Sequence, residues 1–326
     1  ADFLLLGLIV LWVREGRGPQ WAPVIYAFHP LPILESAGSG HLESLALLLL
    51  AHAALPGRVK AATVDHGLRP ESADEADGVA RYCAELGIAH TTLSVSVARG
   101  NTQEQARKAR YAALGDWAEE NDLCALATAH QMDDQAETFL MRLNRGSGLA
   151  GLSAIRALGS VPSVPVGLVR PLLRWRRDEL AAIVERFGWS AVDDPSNHDD
   201  RYDRVRMRRA LAECDWLDIS AIEKSAGFLA EANDAIEWMV GREYAECVTP
   251  VDDAVCYAAL RTGVPHGLIR AGVIRTIYRR FGKSIGQGEA AELADSLVAG
   301  RKSNVGGLQA HVEDRGGECL WVFRPE

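Results

Sequence analysis

The residues best equipped for chemistry lie between Ala127 and Leu152, in ATAHQMDDQAETFLMRLNRGSGLAGL. His130, Asp133, Asp134, Gln135 and Glu137 crowd together there. A short apolar run, Leu123-Cys124-Ala125-Leu126-Ala127, precedes them and suits a buried strand. Ala136, Phe139, Leu140 and Leu143 follow at helical spacing. Titratable groups thus gather where a strand gives way to a helix, which is where open α/β sheets bind ligands. Asp134 and Glu137 are three apart and project from one side of the helix start. Two acids there could hold a magnesium ion or an amine. The alternative is that Asp133 and Asp134 only cap the helix and suit its dipole. Arg145-Gly-Ser-Gly148 closes the stretch with a guanidinium on a glycine loop, a pattern suited to clamping phosphate.

The surrounding elements must hold these residues in place. Val59–Val64 reads as a strand ended by Asp65, and Glu71–Leu86 as a helix stopped by Gly87. Thr91–Val97 is a further strand, and Thr102–Asn121 a long helix. Strands alternating with helices predict an α/β fold with a doubly wound, mainly parallel sheet. A helix over Arg177–Phe187 ends at Gly188. Residues 1 to about 36 show no clean period, and Ile33–Ser36 makes a poor first strand. The apolar run Phe3–Val13 is too short to cross a bilayer and lacks a secretory pattern, so a buried helix or strand is expected.

A chain of 326 residues has room for about two domains. Its 48% hydrophobic and 24% charged residues are those of a globular protein, and a net charge of −9 excludes a basic nucleic-acid binder overall. Charge is uneven, however. Arg201-Tyr-Asp-Arg-Val-Arg-Met-Arg-Arg209 is a local basic patch fit for a nucleic-acid backbone, with Tyr202 able to stack on a base. The alternative is an arginine-rich helix paired with the acidic stretch that follows. Residues 261–302 are basic again, and short strands are expected over Gly307–Val312 and Cys319–Phe323. The six cysteines are scattered with no C-x-x-C pair, which argues against a zinc ribbon or a sulfur-transfer centre.

His-x-x-Asp-Asp-Gln-Ala-Glu-Thr followed by Met-Arg-Leu-x-Arg-Gly-Ser-Gly resembles the central motif of the tRNA(Ile)-lysidine synthetase family, within the PP-loop (N-type) ATP pyrophosphatases. Four more segments resemble that family, in the same order. They are Ser39-Gly-His-Leu-Glu-Ser44, Val64-Asp-His-Gly-Leu-Arg-Pro-Glu-Ser72, Gly100-Asn-x-Gln-Glu-x-Ala-Arg-x-x-Arg-Tyr111, and Arg170-Pro-Leu-Leu173 with Asp194-Pro-Ser-Asn197 and the arginine patch. The first departs from the family's Ser-Gly-Gly-x-Asp-Ser: His41 replaces a glycine and Glu43 an aspartate. Val205 stands where the family usually has asparagine.

The resemblance implies a catalytic domain over residues 1–212 and a smaller, mostly helical tRNA-binding part over 213–326. It implies ATP and magnesium as cofactors, a CAU-anticodon isoleucine tRNA and free lysine as substrates, a cytoplasmic location and no membrane; a homodimer is left open. In this reading His130, Asp134 and Arg145 are catalytic. Ser39, Gly40, His41, Leu42, Glu43, Ser44, Asp65, Arg107 and Arg145 bind the nucleotide. Glu43 and Asp134 hold the metal, and Asp134 and Glu137 hold lysine. Arg110, Asn197, Arg201, Tyr202, Arg204 and Arg208 meet tRNA. For Arg107 and Arg110 the alternative is a solvated helix face with Glu104 as partner. Two rival functions stay open: a different PP-loop enzyme such as a tRNA thiolase, and a tRNA-binding relative impaired by its altered loop.

Overall fold

The computed structural model describes residues 31–37, 42–65, 72–95, 102–161, 166–191, 203–260 and 266–326. Phe3–Val13, Ser39, Gly40, His41, Asn197, Arg201 and Tyr202 lie outside the described residues. The chain divides into two compact units, Ala1–Gly227 and Phe228–Glu326.

In the first unit, strands and helices alternate. They run β1 (Leu31–Ala37), α1 (Leu42–Ala54), β2 (Val59–Asp65), α2 (Ser72–Glu85), β3 (Ala89–Ser94), α3 (Thr102–Glu120), β4 (Ala125–Thr128) and α4 (Met132–Asn144). There follow α5 (Leu149–Leu152), β5 (Leu158–Ser160), β6 (Gly167–Val169), α6 (Arg177–Arg186), α7 (Asp203–Glu213) and the start of α8 (Ile219–Cys247). Six strands form one sheet in the order β3-β2-β1-β4-β6-β5. All neighbours are parallel except β5, which runs antiparallel to β6. The segment over Ile33–Ser36 that reads poorly as a strand lies within β1, which pairs with both β2 and β4. Its place between two partners outweighs a weak local pattern.

Side chains alternate across this sheet, as the two-residue period of a strand requires. On one face Val59, Ala61, Ala125 and Ala127 pack with Leu45 and Leu48 of α1, Val79 and Cys83 of α2, and Leu180 and Val184 of α6. On the other, Ala62, Val64, Leu126 and Leu168 pack with Tyr111, Leu114 and Trp117 of α3. The sheet is therefore covered on both sides, which explains why its central strands read as continuous apolar runs.

The second unit adds β7 (Val248–Val251), β8 (Ala254–Tyr257), α9 (Gly267–Arg280), α10 (Gln287–Val298), β9 (Ser303–Val305), β10 (Leu308–Arg315) and β11 (Glu318–Pro325). An antiparallel sheet in the order β7-β8-β11-β10-β9 accompanies the helices. The terminal hairpin was legible. Its turn is Gly316-Gly317, with φ of 67° and 87°, a pair of left-handed positions that favours glycine. The three other strands are only three or four residues long, too short to show a period. Tyr257 meets Trp321 edge-on at 5.5 Å within the core that Ile274, Ile277, Leu293 and Phe323 complete. Among the described residues, no helix is long and apolar enough to cross a membrane.

Candidate active site at the strand-order reversal

Strand order reverses between β1 and β4, and ligands of such sheets sit outside the C-terminal ends of the strands at that point. The chain leaving β1 enters α1 at Leu42, with Glu43 in its first turn and Ser44 buried behind. The chain leaving β4 passes His130 and enters α4. Asp65 closes β2 on the same edge. The topology thus brings Glu43, Asp65, His130 and the acids of α4 to one side of the sheet.

Each side chain there has a local reason for its position. Thr128 Oγ1, fully buried at the end of β4, is 2.9 Å from His130 Nδ1 and fixes the ring. Gln131 is the N-cap of α4, and its side chain accepts from the Asp133 N–H. Asp134 Oδ2 accepts from the Gln131 N–H at 3.1 Å, completing a capping box. The capping expected of Asp134 is therefore present, and it occupies one of its two oxygens. Asp133 does something else. It accepts from Arg176 Nε and Nη2 at 3.3 and 3.2 Å and from the Arg177 backbone N–H at 3.0 Å. Gln135 is bonded in both directions to the Ile155 backbone, which anchors the connection after α5.

Glu137 is 1% exposed. Arg208 Nε of α7 donates to its Oε1 at 2.8 Å, and Oε2 has no hydrogen-bond partner among the described residues. Burial raises the Glu137 carboxyl above the usual carboxylate range, and Arg208 only partly opposes this. Arg208, expected to meet tRNA, pairs with Glu137, because a buried carboxylate needs a counter-charge. Arg204 Nη2 reaches Thr138 Oγ1 at 3.4 Å. Burial and then the nearby Arg107 and Arg204 lower the Arg142 guanidinium. Guanidiniums from α3, α4 and α7 therefore converge, a concentration of positive charge suited to phosphates. Arg107 also lies 5.3 Å from the Tyr111 ring centroid, and Arg110 is half-buried on the same helix.

Arg145 lies away from the start of α4. Arg145 is the C-cap of α4, at the opposite end from His130, and thirteen helical residues span about 20 Å. Its Nη2 pairs with Asp203 at 2.8 Å. Gly146, at φ 67°, donates to Leu143 O, and the Ser147 N–H bonds Arg142 O. This is a Schellman stop. The glycine of the supposed phosphate clamp ends a helix, and Arg145 lines a cleft of about 290 Å³ with Met141, Asp203, Arg206 and Met207. Within the arginine patch, Arg206 shares Asp203 with Arg145, and Arg208 takes Glu137.

Arg176 and Arg177 escaped the sequence reading. Arg177 Nε is 3.1 Å from Glu43 Oε1. Both arginines sit at the N-terminus of α6, where the helix dipole disfavours cations. That misplacement was the available signal, since such cations need acids from elsewhere. For magnesium, the oxygen donors at this edge are of the right hardness. Among the described residues no three His, Cys, Asp or Glu side chains gather as a protein-only cage. Magnesium usually takes one or two carboxylates plus substrate phosphates, and Glu43 and Asp134 are the acids at this edge that could supply them.

Comparison with known proteins agrees with this geometry. A family model described as a PP-loop domain matches residues 33–214. The chain is 55% identical over 208 residues to a protein of Novosphingobium aromaticivorans named tRNA(Ile)-lysidine synthase, covering 63% of this chain and 64% of that one. It is 40% identical over 292 residues to the protein of the same name from Zymomonas mobilis, covering 88% and 86%. A solved U34-tRNA thiolase from Methanococcus maripaludis shares the fold, with TM-score 0.54 and 18% identity over 71% of this chain and 80% of that one. With strand order, site placement and these relatives in agreement, the chain belongs to the PP-loop family, alongside the proteins named tRNA(Ile)-lysidine synthase.

Proposed function

We propose that this protein ligates lysine to carbon 2 of the wobble cytidine of a CAU-anticodon isoleucine tRNA, converting ATP to AMP and pyrophosphate. The observation that carries the reading is the acid-bearing start of α4 at the strand-order reversal, in a chain whose curated relatives bear that name. The cytidine's carbon-2 oxygen attacks the α-phosphorus and pyrophosphate leaves. The ε-amine of lysine then attacks carbon 2, and AMP departs with the oxygen. Activation is needed because AMP is a far better leaving group than oxide.

Ser39, Gly40, His41, Leu42, Glu43 and Ser44 take the pyrophosphate, with Asp65 and Arg107 beside the nucleotide. Glu43 and Asp134 hold magnesium, which neutralises phosphate charge when bound. His130, fixed by Thr128, orients the α-phosphate. Asp134 and Glu137 receive the lysine ammonium: Asp134 Oδ1 and Glu137 Oε2 have no hydrogen-bond partner among the described residues. The raised carboxyl of Glu137 is the better base for making the amine neutral. Arg110, Arg204, Asn197, Arg201 and Tyr202 contact the tRNA. The basic stretch 261–302 of the second unit, with Arg270, Arg275, Arg279 and Arg280 on α9, holds the tRNA body. The work is done in the cytoplasm, where tRNA and ATP meet.

The test is incubation with that tRNA, magnesium, ATP and labelled lysine. Label entering tRNA only with ATP is expected, and His130→Ala and Asp134→Ala should each abolish it. No incorporation by the unaltered chain, and none after His41→Gly with Glu43→Asp, would refute the reading.

A further inference from the structure

Arg177 is an underused guanidinium in a charged crevice. Its Nε forms an ion pair with Glu43 Oε1 at 3.1 Å. The four N–H donors on its two Nη atoms have no other partner among the described residues. The side chain is 41% exposed, whereas that of Glu43 is 18% exposed. The residue is also held firmly. The Met132 N–H bonds the Trp175 carbonyl at 2.9 Å, and Asp133 grips Arg176 and the Arg177 N–H. The start of α6 is therefore tied to the start of α4 through its backbone, while the Arg177 side chain reaches across to the first turn of α1. That turn presents backbone N–H groups with no helical acceptor, on the positive end of a thirteen-residue dipole. A cation at the positive end of two helices is unfavourable until an anion arrives. Glu43 offsets one charge only.

We infer that Arg177 is a phosphate ligand of the ATP site: Nε holds Glu43 at the first turn of α1, and the Nη groups engage the departing pyrophosphate. The inference rests on the nucleotide reading above, though not on lysine or tRNA as the other substrates. Guanidinium suits the task because it can bind a carboxylate and a phosphate at once through separate edges. Loss of such a charged contact is expected to weaken binding about tenfold.

The experiment measures binding of the α,β-methylene analogue of ATP, and separately of AMP, to the full chain with magnesium by calorimetry. Arg177→Gln should weaken the analogue about tenfold and leave AMP within about twofold, because AMP lacks the pyrophosphate. Arg177→Lys should recover part of the loss, since it keeps the charge but not the fork. Unchanged analogue binding in Arg177→Gln would overturn the inference. So would equal weakening of the analogue and AMP, or no recovery by lysine, since either marks a merely structural role. If Arg177→Gln does not fold, the intermediate analogue affinity and intact AMP affinity of Arg177→Lys carry the test. An unaltered chain that binds the analogue yet never ligates lysine would sink the tRNA reading and leave Arg177 standing.

Discussion

Replacing Arg208 with alanine isolates the charge buried at the centre of α4. Glu137 is 1% exposed, and Arg208 Nε donates to it at 2.8 Å. Without Arg208 the carboxylate is left buried and alone, which costs about 3–5 kcal/mol. Protonation is the cheaper escape. From the ordinary value of 4.5 to pH 7, keeping the proton costs at most about 1.36 kcal/mol per unit over 2.5 units, or about 3.4 kcal/mol. The intact protein already raises this carboxyl by burial, so its pair begins partway along that scale. The expected loss is thus about 2–3 kcal/mol at pH 7. The sign follows from linkage. In Arg208→Ala the folded carboxyl titrates well above the unfolded one. Stability from that group is fully present below pH 4.5 and is lost as pH rises through the folded value. The penalty should therefore shrink by about 1.4 kcal/mol for each unit of acidification. Urea unfolding between pH 5 and 8, followed by tryptophan fluorescence, measures it. Arg208→Ala with Glu137→Gln should show no such slope. A penalty that is flat with pH, or below about 0.5 kcal/mol, would refute the reasoning.

Gly272 of α9 faces Val240 so closely that an added Cβ would lie 2.4 Å from Val240 Cγ2. Valine is stiff at χ1 and both residues are in helices, so Gly272→Ala should destabilise the second unit by about 1–3 kcal/mol. Thermal unfolding checks this, and an unchanged midpoint would contradict the packing. On the first sheet, His90 Nε2 is 2.9 Å from Thr63 Oγ1, and burial lowers its imidazole below 6.5. The unfolded chain thus holds this proton better. Its contribution to stability is complete above pH 6.5 and is lost as pH falls from there through the lowered folded value. His90→Asn should flatten the pH dependence of the urea midpoint over that window, and an identical slope would count against a buried neutral ring.

Much of the first unit was legible because its signals are local. β2 and β4 are apolar runs, α2 has a clear stop and α3 is built of strong helix formers, so they were found within a few residues of their observed bounds. The acid cluster was legible for the same reason: His130, Asp134 and Glu137 follow one strand and open one helix. The glycine after Arg145 also ends a helix, which its place in the sequence did not reveal. A phosphate loop and a helix stop use the same residue for the same freedom at positive φ, and only the Gly146 and Ser147 hydrogen bonds tell them apart. The second sheet was largely missed because strands of three or four residues owe their existence to partners far along the chain.

The sequence by itself determined the alternation that makes a parallel sheet, and hence that the acids of α4 lie at its ligand-binding edge. Period and punctuation are written in neighbouring residues, and a doubly wound sheet follows from them. The tertiary structure decided the pairing of charge: Glu43 with Arg177, Asp133 with Arg176, Glu137 with Arg208, and Arg145 drawn away to Asp203. Ionic attraction has no sequence period and acts through space. Which acid meets which arginine is fixed only once the helices that carry them are packed.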